Sequence, residues 1–193
     1  MDKNMRFRSV TLADIPAMLA IYEPYVLHTS VSFEYTTPDR EEFEARLRHV
    51  KRKFPWLVCE MDGEVVGYAY ASAAFSRMAY DWDADMSVYL AQKAHRKGIG
   101  RAFYVLLEDI LKQQGMQVLY ALVTSENESS RAFHEAMGYR VAAVLPKTGF
   151  KFGHWMDIYW YEKRLCEPVP PRDFPVPFEE SMLETALRNM EKG

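Results

Sequence analysis

Apolar positions change period along this chain, and each change marks an element. Residues 5–10 read as a short strand. Thr11-x-x-Asp14 has the form of a capping box and opens a helix with Ile15, Met18, Leu19 and Tyr22 on its apolar face. Pro16 is tolerated in the first turn. Thr37-Pro38 repeats the start signal with proline at the first helical position. This second helix is expected to run to about residue 53, with Phe43, Leu47 and Val50 on one side, and Pro55 ends it. Residues 56–61 and 65–73 form two apolar strands around the hairpin signal Asp62-Gly63. Over 83–90, Ala84, Met86, Val88 and Leu90 alternate with Asp83, Asp85, Ser87 and Tyr89, so the second set reads as the wet side of a strand.

From Ile99 the period becomes helical. Ile99, Ala102, Phe103, Leu106, Leu107, Ile110 and Leu111 share one face, and Gly115 stops it. A strand at 118–124 follows. Ser125-x-x-Glu128 then caps a short helix that ends at Met137 before Gly138, and 139–145 and 155–161 read as the final strands. The order β-α-α-β-β-β-α-β-α-β-β predicts an α/β chain, a mixed sheet with helices on its faces. Five prolines between Pro168 and Pro177 interrupt regular structure. Beyond them Phe178, Met182, Leu183, Ala186, Leu187 and Met190 make a helical stripe. The domain is therefore expected over 1–165, and 166–193 is a proline-rich linker with a helical tail. The pattern leaves open whether that tail docks on its own domain or on a partner subunit.

The 193 residues suit one domain of ordinary size with an appendage. With 49% hydrophobic and 26% charged residues the chain has the composition of a globular protein. A net charge of −3 gives no reason to expect nucleic acid as a partner. Cys59 and Cys166 form neither a disulfide framework nor a metal-ligand spacing. No metal is expected. The N-terminal residues lack the apolar core of a signal peptide, and no run is long enough for a membrane span. A cytoplasmic location is the simplest expectation.

Candidate chemistry centres on AHRKGIGRAF, residues 94–103, between the strand and the longest helical pattern. The first N–H groups of a helix lack internal partners and lie at the positive end of its dipole. Gly98 and Gly100 let a phosphate approach them, and Arg96, Lys97 and Arg101 add charge, so the turn suits a pyrophosphate. A Walker A loop would need Lys-Ser/Thr after a longer glycine spacing. A dinucleotide fingerprint would need a small residue where Phe103 stands. The bland alternative is a tight turn with a glycine helix start.

His95-Arg96-Lys97-Gly98-Ile99-Gly100 resembles the acyl-CoA pyrophosphate loop of the GNAT N-acetyltransferase superfamily, with His95 in place of the usual Gln or Arg. The run from Asn127 through Ser130 and His134 to Gly138-Tyr139 resembles that family's second signature. The segments FPWLVCEMDGEVVGYAYAS, AYDWDADMSVYL, SSRAFHEAMGY and KFGHWMDIYWYEKRL are similar to the phosphinothricin and methionine sulfoximine N-acetyltransferase branch over about residues 5–165.

This resemblance implies the GNAT fold, a central mixed twisted sheet of about seven strands flanked by about four helices. It implies acetyl-CoA as co-substrate and a homodimer. It assigns Val88, Tyr89 and Leu90 to backbone pairing with the pantetheine arm, and His95, Arg96, Lys97, Gly98, Ile99, Gly100 and Arg101 to the pyrophosphate. Asn127 and Ser130 fall among the CoA-binding positions. Asp85 aligns with the general base, usually Glu, on an arm one methylene shorter. His134 would protonate the departing thiolate or position reactants. Phe33, Glu34, Arg77, Tyr80 and Lys151 match acceptor-pocket positions, Lys151 as a contribution from the partner subunit. Trp82, Trp155 and Tyr159 read instead as core or dimer-contact aromatics. The implied acceptor is the amino group of phosphinothricin, methionine sulfoximine, methionine sulfone or a similar compound. A polyamine, an aminoglycoside or a protein N-terminus is the alternative acceptor, and a non-catalytic CoA-binding module is the alternative class.

Overall fold

The computed structural model describes residues 5–167 and 169–192. Its seven strands are β1 (Met5–Ser9), β2 (Trp56–Met61), β3 (Glu64–Ala73), β4 (Asp83–Leu90), β5 (Val118–Thr124), β6 (Arg140–Lys151) and β7 (His154–Arg164). They form one sheet in the order β1-β2-β3-β4-β5-β7-β6. The helices are α1 (Ile15–His28), α2 (Arg40–Val50), α3 (Ile99–Gln114), α4 (Glu128–Ala136) and α5 (Glu180–Lys192). The expected element order is the observed one, with α5 added from the tail.

Two cores hold the helices to the sheet. Phe103, Leu106, Leu107 and Ile110 of α3 pack with Ala69, Ala84, Met86 and Leu119 on one face. Met18 and Tyr22 of α1 and Phe43 and Leu47 of α2 pack with Trp56, Val58 and Tyr68 on the other. At the entry to α1, the Asp14 carboxylate accepts the Thr11 N–H at 2.7 Å and forms an ion pair with Arg8, which holds it below the usual carboxylate range.

Several boundaries differ from the sequence reading. Helix α2 starts at Arg40, because Asp39 caps it by accepting the Glu42 N–H at 2.9 Å; Pro38 lies outside, and the helix stops at Val50. Asn127, not Ser125, caps α4 by accepting the Ser130 N–H at 3.1 Å. Strands β6 and β7 extend beyond 145 and on either side of 155–161 because a ladder irregularity around Pro146 is bridged when Asp157 accepts the Lys147 N–H at 2.8 Å.

The tail docks on its own domain. Leu183 and Ala186 of α5 are buried in the core on the α3 side. Gln114 donates to the carbonyls of Lys53 and Val176 at 2.7 and 2.8 Å, and Trp82 donates to the carbonyl of Asp173 at 3.2 Å.

The feature that shapes the site is a parting of strands. β4 stays paired with β3 out to Leu90, opposite Gly67. Its parallel ladder to β5 contains only Asp83–Val118, Ala84–Leu119 and Asp85–Tyr120. Beyond that point β5 follows β7, out to Thr124 opposite Ile158. A wedge therefore opens in the sheet at Asp85.

Candidate active site

Asp85 occupies the last paired position before the wedge, with Ser72 opposite it on β3 and Tyr120 on β5. The alternation along β4 suggests a wet side for Asp83, Asp85, Ser87 and Tyr89. All four are partly exposed where Ala84 and Met86 are buried, and the structure limits the wet side at Tyr89, which packs under α1. Tyr89 lies edge-on to Tyr22 at 4.8 Å and packs on Tyr68 at 5.2 Å. One Asp85 oxygen, Oδ1, is buried without a hydrogen-bond partner. Burial, opposed in part by the Met86 N–H, pushes the Asp85 carboxyl up to about 7. A carboxylate near neutrality is the right strength to take a proton from an ammonium group at physiological pH.

On the wedge side, the backbone of Val88 to Leu90 lies past the end of the ladder to β5. The far end is closed by Tyr25, whose hydroxyl donates to the Leu90 carbonyl at 2.6 Å. His95 Nε2 sits 3.0 Å from that hydroxyl and 3.2 Å from the same carbonyl. His95 thus ties the turn to the strand end.

The turn itself bends through positive φ at Arg96 (61°) and Gly98 (79°), and Gly98 is the N-cap of α3. Buried Ile99 anchors it. A Cβ at Gly98 would meet nothing within 4 Å, and one at Gly100 would come no closer than 3.8 Å to Leu90 and Phe133. The fold needs glycine at 98 for its backbone angle, but packing does not require it at 100. Both positions keep the helix N-terminus open. Arg96, Lys97 and Arg101 are exposed. Among the described residues, Lys97 and Arg101 meet the thioethers of Met61 and Met137, at 3.6 and 3.8 Å, and neither has a carboxylate partner. The donor set fits the pyrophosphate of a CoA thioester.

On α4 the hydrogen bonds bear on one expected role, that of His134 as a general acid. Asn127 spends its carbonyl oxygen on the cap, which leaves its NH₂ for a ligand. Ser130 and His134 are joined within the helix: His134 Nδ1 donates to the Ser130 carbonyl at 2.7 Å. The Ser130 hydroxyl lies 3.3 Å from the same nitrogen. Nε2 then accepts from the Tyr104 hydroxyl at 2.7 Å. The His134 ring is 3% exposed, stacks on Tyr161, and is held below the usual histidine range by burial. Such a ring is neutral and carries no proton that a leaving thiolate can reach. The expectation of a general acid at His134 is replaced by that of a buried strut.

Lys151 is the second correction. Its ammonium is 2% exposed and donates to the carbonyls of Val26, Thr29 and Ser32 at 2.6, 2.8 and 2.6 Å. It pins β6 to the end of α1 in its own chain and is not a partner's contribution to an acceptor site. The loop after α1 is shaped around it. The Phe33 ring covers Gly149, where a Cβ would fall 2.1 Å from the ring. Glu34 pairs with Arg46 of α2, leaving Oε2 buried without a partner. Arg77 and Tyr80 lie in the exposed segment between β3 and β4, Tyr80 against Phe75 at 4.7 Å.

The sequence reading missed a cavity of about 450 Å³ between α2 and the sheet, on the Asp85 side. Its readable signal was the in-register aromatics of β2 and β3: Trp56 stacks on its cross-strand partner Tyr70 at 4.2 Å. Among the described residues, no group of histidine, cysteine and carboxylate side chains is arranged to hold a metal.

The profile of the acetyltransferase (GNAT) domain matches residues 7–160. A phosphinothricin N-acetyltransferase of Alcaligenes faecalis is 38% identical over 156 residues, 79% of this chain and 78% of that protein. An L-methionine sulfoximine/L-methionine sulfone acetyltransferase of Salmonella typhimurium is 32% identical over 86% of this chain and 98% of its own length. Among solved structures, a GNAT superfamily phosphinothricin acetyltransferase from Sinorhizobium meliloti in complex with acetyl-CoA superposes with a TM-score of 0.83. Its identity is 31%, over 89% of this chain and 95% of that one. The parted strands, the open glycine turn and the matched profile together place this chain in the GNAT acetyltransferase family.

Proposed function

We propose that this acetyl-CoA-dependent N-acetyltransferase works on the α-amino group of a small amino-acid-like acceptor, of the phosphinothricin, methionine sulfoximine or methionine sulfone type. The proposal includes a cytoplasmic homodimer. The observation that carries it is the Asp85 carboxyl at the mouth of the wedge, one oxygen of which is buried without a hydrogen-bond partner. Acetyl-CoA supplies the acetyl group as an activated thioester. The N–H groups at the start of α3, with Arg96, Lys97 and Arg101, hold its pyrophosphate. The edge of β4 from Val88 up to Leu90, whose own backbone groups are held by the Tyr25 hydroxyl, aligns the pantetheine arm, and an N–H before Leu90 meets the oxygen on which negative charge develops. Asp85 takes the proton of the ammonium group, through a water in keeping with its short arm, and the neutral amine attacks. A thiol of pKa about 8.5 leaves without a strong acid, which agrees with the position of His134 inside the core. Arg77, at an acceptor-pocket position of the resemblance and without a carboxylate partner among the described residues, would pair with the acceptor carboxylate.

Thiol release measured over amino-acid analogues and polyamines tests this reading. Wild type is expected to turn over the amino-acid analogues, with kcat/KM rising through an inflection near pH 7. Asp85→Asn should lose about 10²–10⁴-fold, the usual worth of a positioned base. Turnover of Asp85→Asn within a few-fold of wild type would remove Asp85 from the mechanism, and turnover on polyamines alone would move the acceptor class.

A further inference from the structure

The geometry points to a more specific acceptor: we infer that the cavity under α2 receives the acceptor's side chain, and that this side chain is uncharged and aromatic. The inference rests on the reading above that acetyl is transferred to an α-amino group, and it narrows the acceptor: phosphinothricin-type compounds are acetylated, and an α-amino acid with an aromatic side chain is acetylated faster. Two placements join the cavity to the chemistry. Ser72, which lines it, is the cross-strand neighbour of Asp85, and Tyr70, which lines it, is the neighbour of Ser87. An amino group delivered to Asp85 therefore has its substituent next to the cavity mouth.

The walls decide the chemistry. Tyr22, Phe43, Trp56, Tyr68, Tyr70 and Tyr89 line the space. Their rings already pair with one another, stacked for Trp56 and Tyr70 and edge-on for Tyr22 and Tyr89, so they form a preset slot and not a loose surface. Another ring can add to such an array by offset or edge-to-face contact. About 450 Å³ lies in the range of small-molecule sites and exceeds what a short acidic side chain fills.

Charge argues the same way. Arg46 and His49 are the basic side chains at the cavity; both Glu34 and Glu42 already pair with the Arg46 guanidinium, and His49 Nδ1 meets the Arg52 guanidinium. One positive charge between two carboxylates offers no surplus to a phosphinate anion. The second Glu34 oxygen, Oε2, is buried without a partner, and this further disfavours an anionic side chain.

The test compares kcat/KM for L-phenylalanine, L-tyrosine, L-alanine and phosphinothricin with acetyl-CoA. It uses wild type and Ala45→Trp. Ala45 is an exposed position on α2 at the cavity, so the larger ring obstructs the space without entering the core. Wild type is expected to prefer the aromatic amino acids over phosphinothricin by at least tenfold. Ala45→Trp is expected to lower the phenylalanine-to-alanine ratio of kcat/KM at least tenfold. A preference for phosphinothricin, or an unchanged ratio in Ala45→Trp with alanine still acetylated, overturns the pocket assignment while acetyl transfer to amino acids stands. Failure on every amino acid overturns both.

Discussion

At the scale of one residue, Asp85 sets catalytic usefulness against stability. Its carboxyl titrates near 7 when folded and near 3.8 when unfolded. The folded state therefore favours the protonated form. That contribution is whole below about pH 4 and is lost as pH rises through 7, at about 1.4 kcal/mol for each unit between the two values. The full loss is on the order of 4 kcal/mol, and it is complete at the pH where the proposed base is an anion. Asp85→Asn removes the ionisation and keeps the shape. Thermal unfolding is expected to show the variant more stable than wild type by several degrees near pH 8, with the gap closing toward pH 4. A gap that does not change with pH would mean that the carboxyl is not desolvated as described. The same residue shows what a sequence conceals: alternation placed Asp85 on one side of a strand, but not how far α1 and α2 extend over that side.

At the scale of elements, the turn into α3 separates what folding needs from what binding needs. Gly98 must hold a φ of 79°, where a side chain is strained. Gly100 sits inside the first turn of α3, where alanine is the better helix former by about 1 kcal/mol, and no protein atom lies closer than 3.8 Å to its Cβ position. Gly100→Ala is expected to hold or raise the unfolding temperature while raising KM for acetyl-CoA tenfold or more, measured by thermal scan and thiol release. Loss of stability with unchanged KM would make the glycine structural.

Elements with a strong period were legible in the sequence: β2, β4, α3 and β5 begin and end where the pattern puts them. Caps were less legible, because Asp39 and Asn127 stand close to rival candidates and only hydrogen-bond geometry chooses between them. Least legible were the roles of His134 and Lys151. A buried histidine held by Tyr104 and Ser130, and a lysine spent on three carbonyls, look in sequence like any other polar residues near a motif.

At the scale of the whole molecule, the two edges of the sheet are treated differently. α5 and the residues before it pack along the α3 side near β1, and Ser9 of β1 donates to Glu180 at 2.7 Å. The other edge, β6, has no such cover, and Val144 remains 44% exposed on it. Leu122 on β5, 49% exposed, lies in one cross-strand row with Trp160 and Ala143, beyond the part of the sheet that α1 and α2 cover. Phe150 and Trp155, a cross-strand pair at the hairpin tip, are exposed on the other face of β7 from Trp160, and Val144, opposite Tyr159, belongs to the same face as Phe150 and Trp155. The homodimer proposed above would use this edge, through a two-fold contact that buries the same residues on both copies. Because the tail is already folded onto its own chain, it is not the element exchanged. Sedimentation at micromolar concentration is expected to give twice the chain mass for wild type and the chain mass for Val144→Lys. The unfolding temperature of that variant's monomer should lie close to the value of wild type diluted below its dissociation constant, since the new side chain points to solvent. A wild type that sediments as a monomer would leave the β6 edge without a partner in solution and would require the acceptor site to be complete within one chain.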